Sequence, residues 1–219
     1  MFMTRMPLNI RRRGAVHLLA SPQRMHAAVM AAFPDSPAEG SRVLWRVDRG
    51  HESVALFVVS PLPPDLTHVA EQAGWPTTTT WETKPYDSFI SRIADGDRMA
   101  FRLRANPVHS VRTHPNQSDT KVTAHITAGH QQQWLLDRGP TNGFAILDDT
   151  NGTPQVLIRD RQLERFRRGD QNVTLSSAVF EGQLEIKDAE AFRTVLTCGL
   201  GRAKAYGCGL MTVVPMAAG

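Results

Sequence analysis

The order in which hydrophobic periodicities succeed one another leaves few folds open to this chain. Phe2 to Ile10 has strand composition, and Arg11 to Ala20 reads as a basic connection. Ser21 and Pro22 then predict a helix start, with serine as N-cap and proline at the first position, where its missing N–H costs nothing. Met25, Ala28, Val29, Ala32 and Phe33 recur at i, i+3, i+4, i+7 and i+8, so this helix buries that stripe until Pro34 stops it. Arg42 to Asp48 and Val54 to Ser60 are strand-like runs around Arg49-Gly-His-Glu52 and predict a hairpin. Asp65 to Ala73 follows as a second helix and Lys84 to Ile93 as a fourth strand. The resulting order, βαββαβ, is that of the ferredoxin-like unit.

After the turn Asp95-Gly-Asp97 the order begins again. In Met99 to Asn106, Phe101, Leu103 and Ala105 alternate with Arg102, Arg104 and Asn106, which gives a strand with one apolar and one basic face. Val108 to Lys121 is polar and predicts a mobile loop. Gly129 to Arg138 predicts a helix centred on Trp134 and Leu135. Phe144 to Asp148, Val156 to Arg159 and Val173 to Lys187 are strand-like, Ala189 to Thr197 is helix-like, and Met211 to Val214 is a last strand. The predicted class is therefore α+β: two tandem ferredoxin-like (βαββαβ, RRM-like) domains, 1–94 and 95–219, the second carrying a basic hairpin insertion and a C-terminal glycine-rich loop.

Three basic elements fall in that second half. Ile158 to Asp170 carries Arg159, Arg161, Arg165, Arg167 and Arg168 against Asp160, Glu164 and Asp170. In an extended chain Arg159, Arg161, Arg165 and Arg167 share a parity and would form one cationic edge. Arg102 and Arg104 are the second element. The third is Cys198-Gly-Leu-Gly-Arg-Ala-Lys-Ala-Tyr-Gly-Cys-Gly-Leu210, where Gly199, Gly201, Gly207 and Gly209 permit φ > 0 and Arg202 and Lys204 add charge. No Asp or Glu occurs from Ala191 to Gly219 to neutralise those cations. The loop has Lys204 where a dinucleotide fingerprint needs glycine, and it lacks the Gly-Lys-Ser/Thr of a P-loop. One charge run alone reads as a solvated surface; three in one half, with a net charge of +4 and a pI near 9.5, point to a nucleic acid.

Other classes are set aside by what the sequence lacks. Its two cysteines, Cys198 and Cys208, have no histidine nearby to complete a zinc site, and they predict small apolar packing in a reducing cytoplasm. Arg11-Arg12-Arg13 precedes an apolar stretch too short for a secretion signal and interrupted by His17, and no run approaches membrane-spanning length.

Four stretches together resemble one family: Met25-His26, Phe101-Arg-Leu-Arg-Ala-Asn-Pro107, Val179-Phe-Glu-Gly-Gln-Leu-Glu-Ile186 and Gly199 to Leu210. They are similar to the CasE family, the endoribonucleases that process CRISPR repeat RNA in the type I-E Cascade system. The resemblance runs from first strand to last. It implies a tandem ferredoxin-like fold, metal-independent cleavage at the 3′ base of a repeat stem-loop with no cofactor, and retention of the mature guide RNA beside other Cascade subunits, with no membrane involved. The position matching the family's catalytic histidine is His26; Gln23 stands where many relatives have a tyrosine.

The residues alone admit similar chemistry. An RNA 2′-hydroxyl is an internal nucleophile, so the protein needs a proton acceptor, an acid for the departing 5′-oxygen, and positive charge around the phosphorane. Histidine can serve either proton role. His17 is the nearest rival to His26, and Tyr206 lies within the glycine loop; the remaining histidines form no recognisable metal spacing. A non-catalytic RNA-binding module remains the alternative, although the aromatic RNP signature of such modules is missing.

Overall fold

The computed structural model describes residues 1–33, 42–50, 53–76, 80–112 and 120–216. Pro34, His51, His114 and the centre of the predicted polar loop lie outside them.

In the first half β1 (Phe2–Leu8), β2 (Leu44–Arg49), β3 (Val54–Ser60) and β4 (Glu82–Pro85) form an antiparallel sheet in the order β2-β3-β1-β4. The second half repeats this order. There β5 (Arg98–Ala105), β8 (Phe144–Ile146), β10 (Gln171–Ile186) and β11 (Met211–Pro215) are arranged β11-β5-β10-β8. Numbered within each half, both sheets read 2-3-1-4 or its reverse, so the tandem ferredoxin-like expectation holds.

Helices cover one face of each sheet. The first half carries α1 (Arg13–Leu19), α2 (Pro22–Met30), α3 (Thr67–Ala73) and the single turn α4 (Asp87–Ile90), and the second α5 (Ala128–Leu136) and α6 (Ala189–Cys198). One core joins Met6, Leu8 and Leu56 to Leu18, Met25, Val29 and Val69. The other is shared: Leu44, Val59, Tyr86, Ile90 and Ile93 from the first half pack with Phe101, Leu103, Trp134, Phe180 and Phe192 from the second. Burying first-half residues in the second core fixes the two sheets against each other.

Several local expectations are corrected. Arg11 to Ala20 holds helix α1, whose Ala15 and Leu18 are buried at i, i+3. This helix lies so close to α3 that a Cβ on Gly14 would sit 2.3 Å from the Gln72 carbonyl oxygen. Of the predicted fourth strand only Lys84 and Pro85 pair with β1, in a strand that begins earlier, at Glu82; from Tyr86 the buried residues run Tyr86, Ile90, Ile93, which is i, i+4, i+7 and helical. Ser21 occupies the N-cap of α2 with extended dihedrals, but its side chain makes no capping hydrogen bond. The predicted mobile loop begins and ends as a hairpin, β6 (Val108–Arg112) with β7 (Thr120–Ala124). Cys208 is buried as expected, whereas Cys198 is exposed.

The insertion between β8 and β10 is longer than predicted. β9 (Val156–Arg168) pairs with β10 from Gly182↔Val156 to Gln171↔Arg168, a two-stranded ribbon continuous with the sheet. Its register shifts opposite Ser177 and Val179, where Asp160 has a φ of 46°. The extra residue changes parity. Arg159 lies opposite Val179, on the face of Glu164, Phe166 and Arg168, whereas Arg165 and Arg167 lie opposite Thr174 and Asn172 on the other. The single cationic edge expected of Arg159, Arg161, Arg165 and Arg167 is thus divided over two faces.

Candidate functional site

His26 sits one residue round α2 from the buried Met25, half-exposed on the side turned toward the second half. The glycine loop's short 3-10 turn, Lys204 to Tyr206, packs on α2 and on β2, and β9 packs on α2 as well. His26 Nδ1 is buried and has no hydrogen-bond partner. Its pKa lies below the ordinary 6.5, first because burial penalises the charged ring and second because the Arg168 guanidinium repels a further positive charge. The imidazole is therefore predominantly neutral at neutral pH. His17, the rival, is exposed on α1, and its carbonyl oxygen accepts a hydrogen bond from Arg24 at 3.4 Å.

Between the start of α2 and the ribbon lies a cleft of about 400 Å³, lined by Ser21, Gln23, Arg24, Arg165, Phe166 and Arg167 among others. Gln23 therefore faces the ribbon's arginines one turn before His26. Tyr206 is tied to the same ribbon, its ring meeting Phe166 edge-on with centroids 4.8 Å apart. Helix, ribbon and glycine loop thus converge around His26. All five ribbon arginines are exposed. Arg159 pairs with Glu181 at 3.3 Å, Arg167 reaches Asp170 only at 4.0 Å, and Arg161 donates to the Ile126 carbonyl oxygen. Among the described residues Arg165 and Arg168 have no ion-pair partner.

Arg102 and Arg104 are placed differently from the free basic face expected of them. Arg102 Nε donates to Glu181 at 2.5 Å, and its guanidinium lies 3.2 Å from Asp48. Arg104 pairs with Glu164 and donates to Ser177 Oγ at 3.0 Å and to the Tyr206 carbonyl oxygen at 3.3 Å. Both arginines are engaged within the protein. Arg104 fixes the loop to the ribbon; Arg102 joins a clasp between the sheets. The centre of that clasp is Arg46, only 1 % exposed, which sequence reading did not single out. It forms a two-point pair with Asp48 (2.6 and 2.9 Å) and donates to the carbonyl oxygens of Arg102 (2.7 Å) and Leu210 (2.9 Å) and to Thr212 Oγ1 (2.8 Å). An arginine inside a strand of alternating apolar residues was the available signal.

The glycine loop is built as expected in its backbone: Gly199, Gly201, Gly207 and Gly209 have φ of 77°, 82°, 76° and 91°. The reason glycine is needed there is internal packing. A Cβ on Gly207 would lie 2.7 Å from the Trp45 ring, one on Gly201 3.1 Å from Trp134, and one on Gly199 2.9 Å from Leu44. Lys204 is held below the usual lysine range, first by burial and then by Arg42, while Arg202 is exposed. At Gly199, Gly201 and Gly207 the close neighbours are thus leucine and tryptophan side chains of the protein itself. Among the described residues no group of His, Cys, Asp or Glu is placed to hold a metal ion, and no helix is long and apolar enough to cross a membrane.

Comparison with known proteins adds three findings. The family model described as CRISPR associated protein matches residues 1–215. The chain is 31% identical over 223 residues to the CRISPR-associated endoribonuclease Cse3 of Thermus thermophilus, covering 98% of this chain and 100% of the relative, and 25% identical over 201 residues to the CRISPR system Cascade subunit CasE of Escherichia coli, covering 88% and 92%. Thermus thermophilus Cse3 bound to an RNA representing a pre-cleavage complex superposes with a TM-score of 0.81 at 30% identity, over 98% of each chain.

Proposed function

The chain belongs to the CRISPR-associated protein family as an endoribonuclease of the Cse3 and CasE type, and we propose that it cuts CRISPR precursor RNA at the 3′ base of the repeat stem-loop by attack of the neighbouring 2′-hydroxyl, with His26 as proton acceptor. The enzyme stays bound to the mature guide RNA as a Cascade subunit. The observation that carries the mechanism is the half-buried His26, unpartnered at Nδ1 and kept neutral by its surroundings, near a cleft to which Arg24, Arg165 and Arg167 bring positive charge. A neutral imidazole accepts the 2′-hydroxyl proton, and the arginines across the cleft offset the charge that builds on the phosphorane. No step calls for a metal ion. Residues 1–94 supply the proton-transfer group and residues 95–219 the elements that grip RNA.

A single 2′-deoxy nucleotide just before the scissile phosphate tests this reading. It should abolish cleavage while leaving binding unchanged; a chelator should change neither, and the products should carry a 2′,3′-cyclic phosphate upstream and a 5′-hydroxyl downstream. Cleavage of the deoxy substrate would overturn the internal-nucleophile mechanism.

The ribbon holds the stem. An A-form stem has a deep, narrow major groove lined by phosphate, which a thin two-stranded ribbon can enter with its charge. With arginines on both faces it can meet phosphates of both strands. Replacing Arg161, Arg165, Arg167 and Arg168 with alanine should weaken stem-loop binding and reduce its salt dependence, by about 0.7 to 0.9 in log–log slope for each phosphate the variant no longer neutralises. An unaltered slope would remove the ribbon from the interface. Arg102 and Arg104, already paired, contribute by holding ribbon and loop in place.

A further inference from the structure

A second cationic site lies away from His26, in a cavity of about 370 Å³ where the β6–β7 hairpin meets α5 and the first part of the glycine loop. His109 and His125 face each other there with ring centroids 4.3 Å apart, and His130 stands 5.9 Å from His125. Arg138 lies over the Trp134 ring at 4.1 Å, and Arg202 lines the same cavity. Among the described residues Asp137 is the one carboxylate on the wall. His109, His125, Arg138 and Arg202 line one cavity with Asp137, and the two guanidiniums favour an anion between them. Consistent with that, His125 is held below the ordinary histidine range, first by burial and then by His109, His130 and Arg138, with Asp137 acting in the opposite sense.

A separate observation also points to an occupant. Trp134 is only 2 % exposed, lines this cavity, and its indole N–H has no hydrogen-bond partner. A buried donor of this kind costs free energy until an acceptor reaches it. The donors of the walls, with Arg138 and Arg202 outweighing Asp137, select an oxyanion.

We infer that this cavity binds a phosphate group of the RNA chain outside the stem. The inference rests on the proposed RNA substrate. One loop connects the two places: it gives Arg202 to this cavity and Tyr206 to the ribbon beside His26, so a single-stranded segment leaving the stem can cross the loop and reach both. Binding here strengthens as pH falls, because an anion held by Arg138 and Arg202 favours the charged form of His125, as Asp137 also does.

The full chain can be titrated with three probes while the imidazole resonances of His109 and His125 are followed by NMR: inorganic phosphate, the bare repeat stem-loop, and the stem-loop carrying a non-cleavable single-stranded extension. The extended RNA should shift both rings and raise the pKa of His125, and the bare stem-loop should not. The double variant His109→Gln/His125→Gln should bind the extended RNA about tenfold more weakly, the loss expected for a charge-assisted contact, and should bind the bare stem-loop normally. Ring shifts with free phosphate but not with extended RNA would overturn RNA as the source of the anion. Equal shifts with the bare stem-loop would place the cavity in the stem interface, and no shift with any probe would remove the site altogether. Because the readout is the rings and not the cut, a failed mechanism at His26 would leave these outcomes legible.

Discussion

His26→Ala should bind the repeat stem-loop with close to wild-type affinity and cut it on the order of a hundredfold to ten-thousandfold more slowly, the loss typical when a proton-transfer group is removed. Affinity should survive, because the ribbon and loop proposed to hold the RNA spread it over many phosphate contacts. Single-turnover cleavage beside a binding isotherm on the same preparation separates the two effects; normal cleavage would end the assignment. The pH profile sharpens it. A base works in its neutral form, and both burial and Arg168 lower the pKa of His26. The rising limb of the rate should therefore lie below the ordinary histidine range, with the plateau reached by neutral pH. Arg168→Ala removes one of the two causes, so its limb should move to higher pH, a displacement that mere weakening of RNA binding at saturating enzyme would not produce.

The second large effect falls on stability. Arg46→Ala should cost about 3–5 kcal/mol, because it leaves Asp48 inside the structure with only Arg102 to balance it and strips a donor from two carbonyl oxygens and a hydroxyl. Those acceptors lie on β5, on β11 and at Leu210 just before β11, whereas Arg46 itself is on β2, so the loss falls at the seam between the sheets. Denaturant unfolding of wild type and variant measures it. A difference below about 1 kcal/mol would put this clasp in the same class as a solvent-exposed ion pair.

How far the sequence revealed the molecule depended on where each residue's partners lay. The strand order and the helical stripe of Met25 and Val29 were legible because their signals are local periodicities. Two pieces of helix were missed where short apolar spacings competed with other cues: Ala15 and Leu18 were hidden by the preceding arginines, and Tyr86, Ile90 and Ile93 by β-branched residues. The site was legible as a set of basic elements, but not in its allocation. Nothing local to Arg102 or Arg104 shows that Glu181 and Glu164, tens of residues away, will claim them. Nor does a run of alternating arginines announce that Asp160 will adopt a positive φ and turn Arg165 and Arg167 away from Arg159. The positive φ expected of the loop's glycines is present, but what fills the space beside Gly201 and Gly207 is Trp134 and Trp45, which only the fold brings there.

β10 is one strand of 16 residues, ~50 Å from end to end at the usual rise, and it serves two surroundings. Its C-terminal part pairs with β5 through Phe180, buried completely, and Leu184; its N-terminal part, Gln171 to Ser177, has β9 as its strand partner. Slipping a strand by one residue sends every side chain to the opposite face. The alignment of the exposed arginines is thus indexed by hydrophobic residues that no RNA will ever touch, as the teeth of a key are set by the shank held in the lock's bearing. A family member could therefore acquire a different repeat preference in two independent ways: by changing the arginines, or by adding or removing a residue at the Asp160 bulge and so re-phasing all those beyond it while the core stays as it is.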